Sequence, residues 1–179
     1  MKYAIEICFD DSTTKELINV WRLLCEKGLA EPQTAKRPHM PHLSLAVTPH
    51  LDVEKFSNII QEIAQKHSSF NLLFAHLGLF RSEKEILFVA PKICNPLTEL
   101  HLDVFNRVAN ENVDLWHYYH PERWIPHCAL TARNSYNEIC EAVRVVEKMK
   151  VPFNAIAERL VLVNFMDGDE ICSCKLINN

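Results

Sequence analysis

Two short stretches decide how this chain folds: Pro41-His42-Leu43-Ser44-Leu45-Ala46 and, far downstream, Pro126-His127-Cys128-Ala129-Leu130-Thr131. Each reads Pro-His-x-small-Leu-small, counting threonine among the small residues. The alternation predicts a β-strand in both places. Alternate strand residues share a face, so His42, Ser44 and Ala46 are expected to point together, as are His127, Ala129 and Thr131. A core strand would fill such positions with bulky apolar side chains. Small residues beside a histidine instead leave room for a ligand.

The flanks repeat as well. Phe70-Asn71 recurs as Phe153-Asn154, and Leu77 and Leu79 recur as Leu160 and Leu162. Matched elements at one near-constant offset are the signature of duplication. Tyr3 to Phe9 predicts the opening strand, and Thr13-x-x-Glu16 predicts the capping box of a first helix ending at Gly28. Asp52 is expected to cap a second helix; strands over 70–81 and 85–90 follow, joined by a turn at Ser82 to Lys84. In the second half, Asn95 with Pro96 marks a helix start, Ser135-x-x-Glu138 a capping box, and Asp167-Gly168 a turn between the last two strands. We read residues 1–179 as a single domain with lobes of approximately 1–92 and 93–179, strands being open to exchange between them. A pseudo-twofold axis would set the two histidines on opposite walls of one cleft.

Paired histidines suit one chemistry in particular. In-line cleavage of a phosphodiester needs a base on the attacking water and an acid on the leaving oxygen, on opposite sides of phosphorus. Histidine serves either task because its unperturbed pKa is about 6.5. Either histidine alone reads as an ordinary strand residue; repetition of the whole pattern is what points to function. Which of the two would be acid and which base is open in the sequence.

Arg37-Pro38-His39-Met40-Pro41-His42-Leu43-Ser44-Leu45-Ala46 and Trp124-Ile125-Pro126-His127-Cys128-Ala129-Leu130 resemble the two signature strands of the two-histidine (2H) phosphoesterase superfamily. Leu77-Gly78-Leu79-Phe80-Arg81 resembles the segment after the first motif in bacterial 2′-5′ RNA ligase and cyclic phosphodiesterase members. The similarity extends along the whole chain in order and length. It implies a bilobal α+β fold, pseudo-twofold and duplicated, with antiparallel sheets lining a central cleft and helices outside. It also implies catalysis by His42 and His127 with no cofactor and no metal. The substrates it implies are nucleotide phosphodiesters, commonly 2′,3′-cyclic phosphates or 2′-5′ linkages. The family pattern is His-x-Thr/Ser-x, twice, and Ala129 departs from it. Thr131, one strand step further on, is the expected deputy for the missing hydroxyl, as Ser44 is the hydroxyl of the first motif. Pro38-His39 imitates the motif start, but only His42 has a hydroxyl two residues on.

The loop Trp116-His117-Tyr118-Tyr119-His120-Pro121-Glu122-Arg123-Trp124 precedes the second motif. Tyr119 and Trp124 suggest a base-stacking wall, the alternative being a loop pinned to the core by its aromatics. Arg123 is placed to reach a phosphate, and Arg37 has the mirrored place before the first motif. Phe80 is open to two readings, a base stacker at a strand end or a core aromatic. His117-x-x-His120 with His127 is poor metal-site spacing.

The bulk properties set bounds. The chain has 179 residues, 48% apolar and 23% charged, with three glycines, which is ordinary globular composition. The net charge of −4 argues against coating long duplex nucleic acid, but a few local cations can still hold one phosphate. No apolar run approaches the roughly 18 residues of a membrane span, and the N-terminus does not read as a secretory signal. Seven scattered cysteines then read as reduced thiols in a cytoplasmic protein. The expectation is a monomer acting on a small nucleotide or an RNA end. The rival readings are a nucleotide-binding module with little turnover, or a ligase-like protein processing RNA ends.

Overall fold

A computed structural model describes residues 3–30, 40–81, 85–166 and 168–178. Strand β1 (Tyr3–Phe9) leads into α1 (Asp11–Glu26), then β2 (His42–Thr48) and α2 (Val53–Ala64). Strands β3 (Phe70–Phe80) and β4 (Glu85–Pro91) precede α3 (Asn95–Asn110). One 3-10 turn (His117–Tyr119) lies ahead of β5 (Cys128–Asn134), and α4 (Tyr136–Val146), β6 (Phe153–Asn164) and β7 (Glu170–Lys175) complete the chain. The fold is α+β, as expected. The turn at Ser82 to Lys84 and the first half of the Asp167-Gly168 turn lie outside the described residues; Gly168 itself has the left-handed φ of 73° that such a turn requires.

The helices form where apolar spacing and caps agree. Leu17, Val20 and Leu24 of α1, Phe56, Ile60 and Ile63 of α2, Leu97, Leu100, Val104 and Val108 of α3, and Ile139, Ala142 and Val146 of α4 are all buried. These stripes meet the core-facing side chains of the strands in one continuous core. Two helix starts differ from expectation. Asp10, not Thr13, caps α1, and Thr13 is a donor to it. Helix α3 begins after Cys94, which makes no side-chain cap bond, so Asn95 is already helical. A proline at the start supplies the preset φ there without a capping side chain.

Asp10 joins the halves locally. Its carboxylate accepts from the amides of Ser12 and Thr13 at 3.0 Å and from Ile156 of β6 at 2.9 Å. Partial burial raises its carboxyl, yet the hydrogen bonds from Ser12, Thr13 and Ile156 together hold it well below the usual carboxylate range. A group whose folded pKa is depressed stabilises fully above its unfolded value, about 4, and loses that contribution as pH falls below it. Asp10→Ala should therefore cost about 1–2 kcal/mol at pH 7, read from urea unfolding, and the gap from wild type should close towards pH 2.

Sheet topology positions the site. All strand pairs named here are antiparallel, in the order β2-β1-β6-β3-β4-β5, with β7 also on β6. Read outward from the β3–β6 pair, the order is symmetrical: a central strand, a strand preceding a helix, then a histidine-motif strand. First-half strands thus flank β6, and β5 of the second half lies on β4. Although β2 and β5 end the path, the sheet curls until they meet, and the Cys128 thiol hydrogen-bonds the backbone of His42. None of the seven cysteines is in a disulfide. Among the described residues no helix is long and apolar enough to cross a membrane.

Candidate active site

His42 opens β2, and His127 sits immediately before β5 rather than within it. Both are anchored in the same way. Nδ1 of His42 lies 2.8 Å from the carbonyl oxygen of Met40, and Nδ1 of His127 lies 2.7 Å from that of Ile125. A carbonyl can only accept, so Nδ1 carries the proton in each ring and donates it to the residue two positions back. Nε2 is the nitrogen turned away from that carbonyl in both rings.

Each motif strand carries a β-bulge at the same place. In β2, Glu6 pairs with Ser44 and Ile5 with Ala46, leaving Leu45 as the extra residue. In β5, Phe88 pairs with Ala129 and Leu87 with Thr131, leaving Leu130 extra. A bulge shifts the alternation by one residue, which corrects the expected face. Ser44 stays with His42, but Ala46 joins the main core, and Thr131 is 5% exposed with its hydroxyl donating to the carbonyl of Leu29. Thr131 is thus committed to the packing behind the strand and does not replace the hydroxyl missing at Ala129.

The indoles of two tryptophans hold these bulged strands. Trp124 Nε1 donates to the carbonyl of Ser44 at 2.9 Å, and Trp21 Nε1 donates to that of Ala129, also at 2.9 Å. The imidazole of His101 covers Trp124, rings stacked at 3.8 Å and 9°, and its Nε2 donates to the carbonyl of Tyr119 at 3.0 Å. Burial pushes His101 down to about 4, with the nearby Tyr119 and Leu45 carbonyls working the other way. The stacked His101 takes up one face of the Trp124 indole, so the aromatic loop is pinned to the core at this residue. Tyr119 is also tied in: its hydroxyl hydrogen-bonds the Ser44 side chain, and burial raises it to about 12. Arg123 is exposed and makes no side-chain hydrogen bond or ion pair among the described residues. Arg37 lies outside the described residues.

His127 stands in an aromatic corner. Phe80 meets it edge-on at 4.8 Å and Phe88 lies 5.3 Å away. Phe80 is therefore a wall of the histidine rather than a free stacking platform. Burial holds His127 below the ordinary imidazole value; its hydrogen bond to Ile125 opposes this, and the charge of His42 adds to it. That influence also places the two histidines within electrostatic reach of each other. Gly78 makes the corner possible, because a Cβ there would come 2.3 Å from the Phe88 ring. Gly78→Ala should displace Phe88, cost about 1–3 kcal/mol by overpacking, and lower kcat/KM about tenfold through the loosened His127.

Sequence reasoning missed Glu6. It lies in β1 between Ile5 and Ile7, is 5% exposed, and places Oε1 3.3 Å from His42 Nε2. Burial raises its carboxyl, and the neighbouring His42 lowers it. The one available signal was a lone carboxylate in an otherwise apolar strand. Among the described residues no group of three His, Cys, Asp or Glu side chains could hold a metal ion.

No curated protein matches the chain in a sequence comparison. Among solved structures, E. coli LigT complexed with 3′-AMP superimposes with a TM-score of 0.61 at 18% identity, over 98% of this chain and 97% of that one. The apo form of E. coli LigT gives 0.59 at 15% identity over 98% and 97%. The TT0787 protein of Thermus thermophilus gives 0.57 at 14% identity over the full length of both chains. These similarities show a shared fold. The family model of the 2′-5′ RNA ligase superfamily matches residues 9–169, spanning both histidine motifs, and the chain belongs to that superfamily.

Proposed function

We propose that this chain is a metal-independent phosphodiesterase hydrolysing nucleoside 2′,3′-cyclic phosphates or related nucleotide and RNA-end phosphodiesters, with His42 and His127 as paired acid and base. The observation that supports it best is the shared anchoring of the two rings, each holding its Nδ1 proton on a backbone carbonyl and keeping Nε2 for the reaction. His127, kept neutral by burial, suits the base that takes a proton from water. His42, beside the Glu6 carboxylate, suits the acid that protonates the leaving ribose oxygen. Separated environments of this kind are how two like groups take opposite roles.

Ser44, on the face of His42 with its hydroxyl hydrogen-bonded to Tyr119, is the hydroxyl that holds a non-bridging phosphate oxygen. Arg123 steers the phosphate from the exposed loop, with Arg37 sharing that role before the first motif. The E. coli LigT structure with 3′-AMP supports a nucleotide as the ligand class. The protein acts as a monomer on small substrates in the cytoplasm, and its net charge of −4 fits poorly with long duplex nucleic acid.

The test is hydrolysis of 2′,3′-cyclic nucleotides by purified, EDTA-treated protein, with turnover expected to survive chelation unchanged. Absence of hydrolysis would sink the assignment for these substrates. One observation favours a second reading, a nucleotide-binding module with little turnover: the second motif lacks a hydroxyl at Ala129, and Thr131 faces Leu29. A lost neutral hydrogen bond to phosphate is worth on the order of 1 kcal/mol, which slows the reaction without abolishing it. Tight nucleoside monophosphate binding with no turnover would favour that second reading.

A further inference from the structure

Glu6 is an expensive residue in its position. A carboxylate inside a buried strand loses its hydration and must be matched by a charge or hydrogen bonds. The match here is His42 on the neighbouring strand, 3.3 Å from Oε1 to Nε2.

The proton count of the imidazole makes this contact informative. Nδ1 of His42 already donates to the carbonyl of Met40. Nε2 faces a carboxylate oxygen, and two bare lone pairs at that distance would repel. The ion-pair contact favours a proton on one of the two groups, carried either by an imidazolium Nε2 or by the carboxyl of Glu6. His127 has no such demand. Its Nδ1 faces Ile125, Phe80 and Phe88 wall the ring, and no carboxylate among the described residues lies within ion-pair distance of it. The two halves are alike in motif and unlike in charge.

We propose that Glu6 is a positioning residue that keeps a proton at Nε2 of His42 and holds the ring ready to deliver it to the leaving oxygen. This rests on the reading of His42 and His127 as acid and base, and adds to it a carboxylate that lies in neither motif. In the step, the water oxygen bonds to phosphorus while Nε2 of His127 takes one water proton. The bond from phosphorus to the ribose oxygen breaks with its electron pair going to that oxygen, which takes the proton from Nε2 of His42. The total proton count is unchanged, and the resting state returns when His127 releases a proton to solvent and the Glu6–His42 pair regains one. A small cavity of about 10 Å³, room for about one water, is lined by Glu6, Cys8, Met40, Val161 and Glu170 among others and lets solvent reach Glu6 for that exchange.

The thiols and the phenol around Glu6 stay protonated through neutral pH. Burial raises the thiols of Cys8 and Cys128 and the phenol of Tyr119, each to about 12. Arg159 of β6 and Glu170 of β7 form an ion pair at 3.4 Å. That leaves Glu6, His42 and His127 as the groups whose protons matter.

The test compares wild type with Glu6→Gln and Glu6→Asp in the full chain. Nitrogen-15 NMR of the imidazoles at pH 7 should show His42 protonated or proton-sharing at Nε2 in wild type and in Glu6→Asp. In Glu6→Gln it should be protonated at Nδ1 alone. The alkaline limb of kcat/KM for a 2′,3′-cyclic nucleotide should move to lower pH by about one unit in Glu6→Gln. At pH 7.5 (a chosen assay condition) kcat should fall roughly tenfold while KM changes less than about twofold, and Glu6→Asp should recover most of the loss. An identical Nε2 state in wild type and Glu6→Gln would overturn the proposal. So would an equal, pH-independent loss in both variants, which is what a merely structural role produces. If wild type hydrolyses nothing, the proposed reaction fails by itself, and the NMR comparison still decides whether Glu6 holds the proton on His42.

Discussion

His42→Ala and His127→Ala are each expected to lower kcat/KM for 2′,3′-cyclic nucleotides by roughly 10²–10⁴-fold, the usual worth of a positioned acid or base. The backbone anchor of each ring is its Nδ1 on a carbonyl, so alanine removes the reactive Nε2 while the strands keep their pairing. The His42 side chain is 25% exposed, so its loss opens no core cavity at the start of β2 but leaves the buried Glu6 without its charge partner. The two losses should not multiply in the double variant, because acid and base act in one transition state and either deletion already disables it. Steady-state kinetics of the two single variants and the double, with circular dichroism to confirm folding, decides the matter. A loss below tenfold in either single variant would remove that histidine from the chemistry. Ser44→Ala offers a scale for comparison, since one hydrogen bond to phosphate should be worth less than either histidine.

Phe74→Ala should be among the most destabilising single changes, about 3–5 kcal/mol. Phe74 is 0% exposed in β3 and opposes Phe153 of β6 in the register that joins the two halves. Its ring stacks on Phe153 at 5.0 Å and 17°, and meets Phe9 of β1 edge-on at 5.4 Å and 89°. Truncation removes both aromatic contacts and opens a cavity at the β3–β6 seam, where strands of opposite halves leave little freedom to collapse. Domains of this kind are stable by only about 5–15 kcal/mol, so roughly a fifth or more of the total is at stake. Urea unfolding should show a large drop in midpoint at unchanged slope. Phe74→Leu, which keeps most of the volume, should lose about 1–2 kcal/mol. Equal stability of Phe74→Ala and wild type would contradict the aromatic seam.

Much was legible in the sequence because it depends on neighbours a few residues apart. Helical stripes such as Phe56, Ile60 and Ile63, the cap at Asp52 and the capping box at Ser135 are short-range statements, and they appear in the structure as read, Val53 alone lying only half-buried at the start of its stripe. The repeated His-x-small pattern marked both motif strands for the same reason. The start expected at Thr13 lies at Asp10, whose carboxylate satisfies the free amides there and also reaches Ile156 across the sheet, and the start expected at Asn95 lies one residue earlier, where Pro96 presets the backbone with no capping side chain.

What the chain determines by itself is the α+β character and the two repeated histidine motifs. Only the tertiary structure decides the rest. Strand alternation foretells a face as long as pairing is regular, and the bulges at Leu45 and Leu130 interrupt it, turning Thr131 towards Leu29. Trp124 and Tyr119 became supports instead of a stacking wall because their partners, Ser44 and His101, arrive from other elements. Glu6 stands 36 residues before His42 in the sequence, and only the register of β1 on β2 sets carboxylate against imidazole. Hydrogen-bond register between distant strands is a property of the assembled sheet, and the asymmetry of charge between two similar motifs follows from that register.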